Sequence, residues 1–220
     1  MGDALYNPGD GVSDRSTTLV GGALNLADLN NEFIISDVGS AELGDSFSIS
    51  AWSYLARGAN NGSDRFHLFE ASSNVDVSWG TNPAGTAMRG FINNIEHGAF
   101  GSVVVEQWQH VLHVFDSDGT NTSLTIYLDG VALGAPTIAS TSGIDFSALH
   151  FGDARNGASD DRDWDGMIDE IGIWDRALSA DEAAEVYGRG NNGLALIPEP
   201  GTATLLGFGA FGFLLRRRRR

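Results

Sequence analysis

Short apolar runs, none longer than the nine residues of Phe47 to Leu55, recur between residues 33 and 174, and most are closed by Gly, Asn, Asp or Ser. Runs this short leave no room for an ordinary helix, and breakers at this spacing end a strand and turn the chain back. The pattern therefore restricts residues 33–174 to β structure. The expected strands are Phe33–Val38, Phe47–Leu55, Phe66–Ala71, Val75–Trp79, Met88–Ile92, Val103–Val105, Trp108–Phe115, Leu124–Leu128, Val131–Leu133, Leu149–Phe151 and Met167–Trp174. In the second of these, Phe47, Ile49 and Ala51 alternate with serines. Between Trp108 and Phe115, Val111, His113 and Phe115 alternate with Leu112 and Val114, so both faces of that strand are expected to be covered. Asp129-Gly130 supplies the positive φ angles of a type I′ turn between Leu124–Leu128 and Val131–Leu133. About ten to twelve strands of this kind suit two packed antiparallel sheets.

One helix interrupts the pattern. Ser179 with Glu182 forms a capping box, Ala183, Ala184, Val186 and Tyr187 continue it, and Gly188 stands where a left-handed C-terminal cap belongs. Composition changes beyond Asn192. Residues 1–192 read as one sandwich and 193–220 as a tail, in which Pro198-Glu199-Pro200 precedes an uncharged segment, 201–215, and then Arg216 to Arg220. As a helix that segment reaches about 22 Å, short of a hydrocarbon core of about 30 Å, so transient insertion fits it better than a permanent span. The arginines would stay cytoplasmic and leave the sandwich outside. Residues 1–30 hold no basic segment leading into a continuous apolar run, so export carries the expectation of a leader encoded upstream.

Charge narrows the partners. The chain has 29 acidic residues against 13 basic ones, every basic residue is Arg, and five of those close the tail. So acidic a surface repels phosphate backbones, which excludes nucleic acid as a partner, while cations and neutral hydroxyl-rich ligands stay compatible. There is no cysteine. A domain of about 190 residues buries roughly 70% of its unfolded surface, and a core of that size needs no disulfide.

The tail resembles a PEP-CTERM sorting signal, carried by Pro198, Glu199 and Pro200, the apolar segment and Arg216, Arg217 and Arg218 within the terminal cluster. The resemblance implies an exosortase-type enzyme as partner and delivery to the cell envelope, the surface or the medium. The body resembles the laminin-G-like jelly-roll domains of the concanavalin A-like lectin/glucanase superfamily. Gly22-Ala-Leu24, Phe47 to Trp52, Trp108 to Val111, Leu124 to Gly130, Trp164 to Ile171 and Ile173 to Ser179 carry it, in family order. The implied fold is all-β: a two-sheet antiparallel jelly-roll β-sandwich with one short C-terminal helix, followed by a short hydrophobic tail helix. It also implies that Trp52, Trp108, Trp164 and Trp174 are core residues, and that calcium is held structurally by Asp169 together with Asp28.

Candidate sites follow. Asp153, Asp160, Asp161, Asp163, Asp165 and Asp169 crowd one stretch and offer oxygens to a hard cation. Asp116-Ser-Asp118-Gly119 fails the EF-hand spacing and reads as a turn. Glycoside hydrolysis needs two carboxylates across a cleft, and the superfamily's glucanases place theirs on one E-x-D-x-E strand that this chain lacks. His67, His97, His110, His113 and His150 show no paired ligand spacing, and His110 and His113 should project to opposite sheet faces. Trp79, off the core motifs, is the candidate for stacking a sugar, with Arg89 and Asn93 beside it. The expected function is a non-catalytic binding module for carbohydrate or another extracellular polymer. The alternative is a structural component of the envelope or biofilm matrix with no discrete ligand.

Overall fold

The computed structural model describes residues 24–25, 33–35, 39–56, 66–71, 77–82, 86–100, 104–152 and 164–194, with no side-chain description for 24–25, 33–35 and 99–100. Asp28, the loop acids Asp153, Asp160, Asp161 and Asp163, and the tail from residue 195 onward lie outside these residues. Two antiparallel sheets face each other. In chain order the strands are β1 (Leu24–Asn25), β2 (Phe33–Ile35), β3 (Phe47–Leu55), β4 (His67–Ala71), β5 (Val77–Thr81), β6 (Met88–Ile92) and β7 (Ile95–Phe100). They continue as β8 (Trp108–Ser117), β9 (Asn121–Leu128), β10 (Val131–Ala132), β11 (Thr137–Ser140), β12 (Leu149–Phe151) and β13 (Gly166–Trp174). The seven-stranded sheet runs β1-β13-β3-β8-β9-β10, with β11 also on β9, and the six-stranded sheet runs β2-β12-β4-β5-β6-β7.

The alternation read in β3 and β8 orients both strands as expected. Phe47, Ile49 and Ala51 of β3 and Val111 and Phe115 of β8 join one core with Phe69, Val77, Trp79 and Ile92 of the facing sheet. Phe47 and Phe115 stack with centroids 4.3 Å apart. Each buried Val, Ile or Phe among them contributes roughly 1.5–3 kcal/mol. On the other face of β8, Leu112 and Val114 form a second cluster with Trp174, Leu178, Ala183 and Val186. The helix supplying the last two, α2 (Ala180–Asn191), lies across the outside of the seven-stranded sheet.

Its start is the predicted capping box. Ser179 Oγ accepts the Glu182 amide at 3.3 Å, and the Ser179 amide donates to Glu182 Oε2 at 2.8 Å. Arg176 Nη2 also donates to Glu182 Oε1 at 2.6 Å. That hydrogen bond, with the Ser179 amide, pulls the Glu182 carboxyl down to about 2.

The helix end differs from expectation. Gly188 and Gly190 are helical, and the left-handed residue is Gly193, at φ 71°. There the amides of Gly193 and Leu194 donate to the carbonyls of Gly190 and Arg189, a Schellman closure. Two glycines inside one helix made Gly188 look like its end. Packing explains Gly190, because a Cβ there would meet Trp52 Nε1 at 2.4 Å and Glu170 Oε2 at 3.0 Å.

A short helix, α1 (Ser40–Leu43), and the strands β7 and β11 were not expected from the sequence. Strand β7 follows β6 through Asn93-Asn94, at φ 45° and 61°, a type I′ turn that Asn tolerates. The Asp129-Gly130 turn takes φ 50° and 77°, as expected.

The two helical glycines make opposite predictions. A Cβ at Gly188 meets nothing within 4 Å, so Gly188→Ala should raise stability by about 0.5–1 kcal/mol through helix propensity. Gly190→Ala should instead lower it by about 1–3 kcal/mol, by lifting the helix from Trp52. Thermal melts of the two variants check both signs.

Candidate functional site

Helix α2 covers the seven-stranded sheet only in part. Tyr187 stacks on Trp52 at 5.7 Å and lies 5.9 Å from the His110 ring, and the helix closes at Gly193. Two residues further along the strands, beyond that cover, β3 and β8 pair Tyr54 with Trp108 in register. The two rings are 5.6 Å apart and tilted 56°, and both side chains are half-buried rather than sealed. Met167 of β13 is paired with Tyr54 on its other side, so Met167, Tyr54 and Trp108 form one row on the outer face. The Tyr54 hydroxyl and the Trp108 indole N–H have no hydrogen-bond partner among the described residues. A ring face with a free polar handle is the usual chemistry of an aromatic contact at an interface.

The expected ligand residues are placed otherwise. Trp79 is 1% exposed and sits between the sheets, edge-on to His113 at 5.3 Å. Its ring is core, and the surface stacking expected of it is corrected on that ground. Trp108, expected in the core, is the tryptophan left half-open; Trp52, Trp164 and Trp174 are buried as expected. The difference is one of sheet face, since Trp79 points inward on β5 and Trp108 points outward on β8.

Arg89 lies on the outer face of the six-stranded sheet, its guanidinium 4.9 Å above the Phe91 ring and 3.5 Å from Glu96 Oε2. Asn93 is in the turn beyond, where its amide nitrogen donates to the Ser140 carbonyl at 3.2 Å. It serves the turn there, away from Trp79, so the expected trio does not converge.

Asp169 is 5% exposed and pairs with Trp52 across β13 and β3. Beside it Glu170 takes φ 48° at a bulge, and Asp169 Oδ1 accepts the Glu170 amide at 2.8 Å. The bulge turns Glu170 under α2 beside Gly190, a position that simple strand alternation does not foresee. Asp28 lies outside the described residues. Among those described, no group of three or more His, Asp or Glu is arranged to hold a metal ion. Asp116–Gly119 is a turn, as read: Asp118 Oδ1 accepts the amides of Thr120 and Asn121, each at 2.8 Å.

Histidines serve structure on both faces of β8. His110 Nε2 is 2.8 Å from Ser50 Oγ beneath the helix. His113 faces inward, fully buried, with neither ring nitrogen hydrogen-bonded. Burial holds it well below the usual histidine range, reinforced by His97. His97 ties the edge of one sheet to the other, its ring nitrogens 2.5 Å from Thr137 Oγ1 and 3.1 Å from the Leu133 carbonyl, and burial lowers its pKa too.

Together these features define an antiparallel jelly-roll sandwich whose helix closes part of one outer face and leaves aromatic rings open beside it. The chain belongs to the concanavalin A-like lectin/glucanases superfamily, whose family model matches residues 27–184, and a PEP-CTERM protein-sorting motif matches residues 196–220. That motif marks the chain for export and C-terminal membrane anchoring during sorting, hence for the cell surface or the medium. No curated protein matches it in sequence.

Among solved structures, it is similar to domain 4 of AbnA, an extracellular arabinanase from Geobacillus stearothermophilus, in complex with arabinotriose. The TM-score is 0.52 at 17% identity, covering 84% of this chain and 81% of that one. It is also similar to Trypanosoma rangeli sialidase in complex with sialic acid, at TM-score 0.56 and 14% identity over 78% of this chain and 28% of the sialidase. A covalent intermediate of that sialidase with 2,3-difluorosialic acid gives TM-score 0.55 at 14% identity, over 68% of this chain and 24% of the sialidase. The chain thus spans about a quarter of the sialidases it matches. At these identities the likeness is one of fold alone.

Two predictions follow from the core. Trp79→Ala should cost about 3–5 kcal/mol of stability, read as a lower urea midpoint. His113 is neutral when folded and titrates near 6.5 when unfolded, so its contribution is complete above pH 6.5 and is lost as pH falls below that value. Between pH 7.5 and 5.5 the urea midpoint should therefore drop, with a slope of up to about 1.4 kcal/mol per pH unit for this one proton. In His113→Leu the drop should be shallower; an unchanged slope contradicts the assignment.

Proposed function

We propose that this chain is an exported, exosortase-sorted, non-catalytic module that recognises carbohydrate or another extracellular polymer through the outer row Met167, Tyr54 and Trp108. The observation that carries the reading is the half-open Tyr54–Trp108 pair at the uncovered end of the seven-stranded sheet. Pyranose rings have apolar C–H faces and polar rims, so an aromatic face with a nearby free O–H or N–H meets both. The row is open to an extended chain, which suits a polymer better than a small enclosed metabolite. The sorting motif supplies the setting, since it sends the chain where such polymers are found. The arabinotriose in the arabinanase domain adds support by analogy of fold.

Calcium is part of the same proposal, as a structural ion at Asp169 with oxygens from outside the described residues. The alternative is a matrix component without a discrete ligand.

The test is affinity electrophoresis and a broad glycan array with the full chain. Retardation by a polysaccharide is expected, weakened about tenfold or more in Tyr54→Ala and Trp108→Ala and unchanged in Arg89→Ala. Trp108→Phe, which keeps a ring, should retain most of the binding and guards against a folding defect. No binding anywhere on the array favours the matrix reading. Melts with and without chelator test the ion, because saturating calcium should raise the midpoint if it is bound.

A further inference from the structure

The far end of β8 carries a different surface. Trp108 and Asp116 are eight residues apart on that strand, about 27 Å at the usual rise, with α2 packed between them. Where β8 turns into β9, and β11 pairs alongside, Asp116, Ser117, Asp118, Asn121, Ser123 and Ile138 line an open groove of about 210 Å³. Register explains the convergence: Asp116 pairs with Ser123, and Ser123 with Ile138, so these three share the outer face across three strands.

Several of these groups are unused by the fold. Neither the Asp116 carboxylate nor the Asn121 carboxamide has a hydrogen-bond or ionic partner among the described residues. Asp118 spends Oδ1 on the Thr120 and Asn121 amides, which hold its carboxyl below the usual range, and Oδ2 is left over. Ile138 is 63% exposed, an aliphatic side chain left open among polar groups. The groove therefore offers two carboxylates, an amide and an apolar patch within the volume of about one sugar ring.

We propose that this groove binds one pyranose unit carrying a free amino group, within an amino-polysaccharide. The ammonium would donate to Asp116 and Asp118, a charge-assisted pairing. Asn121 and Ser123 would take neighbouring hydroxyls, and the C–H face of the ring would cover Ile138. A hard cation alone is a poorer fit, because it wants six to eight oxygens and leaves the isoleucine exposed. A basic peptide supplies the charge but not the hydroxyls beside it. The site is independent of the aromatic row, so each can fail without the other.

The experiment is isothermal titration of the full chain with a fully deacetylated glucosamine tetramer, against the N-acetylated tetramer, a glucose tetramer, trilysine and calcium chloride. Binding of the deacetylated tetramer is expected to exceed that of every control and to weaken about tenfold or more in Asp116→Asn and in Asp118→Asn. Asn at 118 still accepts the two turn amides, so unchanged melting confirms that the fold is kept. Loss of the tetramer's binding in Tyr54→Ala, with none lost in Asp116→Asn, would place it on the aromatic row instead and overturn the proposal. Equal affinity for the acetylated or glucose tetramer overturns the proposal, as does equal affinity for trilysine or calcium, or indifference to Asp116→Asn.

Discussion

Strand β8 is apolar on both faces, and most of the architecture is a response to that fact. Val111 and Phe115 must meet a second sheet, while Leu112 and Val114 must meet something on the other side. A single sandwich satisfies only the inner set. The chain answers with α2, whose Ala183 and Val186 close over the outer set. Leaving Leu112 and Val114 in water would forfeit roughly 1.5–3 kcal/mol each, a large share of the net stability of a domain. The position of the helix is thus dictated by a few side chains on the strand beneath it.

Where the helix stops decides what the surface can do. Its register on the sheet is set by Gly190, which lets the backbone approach Trp52, and by the turn at Gly193. Trp52 and His110 are covered; Tyr54 and Trp108, one step further along the same strands, are not. At the other end the helix begins after Leu178, and the β8–β9 turn projects beyond it with the unpaired Asp116 carboxylate and the free Oδ2 of Asp118. One helix therefore separates two chemically different surfaces on one sheet, the first aromatic and the second acidic.

Much of this was legible in residues taken locally. The alternation in β3 and β8, the Asp129-Gly130 turn and the Ser179 capping box each depend on near neighbours in sequence, and each is found where expected. Strands β7 and β11 were not visible because their sequences, IEHGAF and TIAS, are mixed and short, although Asn93-Asn94 between two isoleucines was a hairpin signal. The ligand residues were the weakest part. Trp79 shares the parity of Val75 and Val77, an alternation that puts its ring on the apolar face, whereas Trp108 opens a strand that is apolar on both faces, where alternation does not say which side is covered.

The amino-acid sequence alone determined the class of fold, the closing helix and the sorting tail, because periodicity, turn chemistry and an end-of-chain charge block are local properties. Tertiary structure decided which aromatic is core and which is surface, and which carboxylates are left without partners. Those outcomes depend on how far one helix extends over a sheet and on which strands pair beside which. They are relations between segments remote in sequence, and no short window contains them.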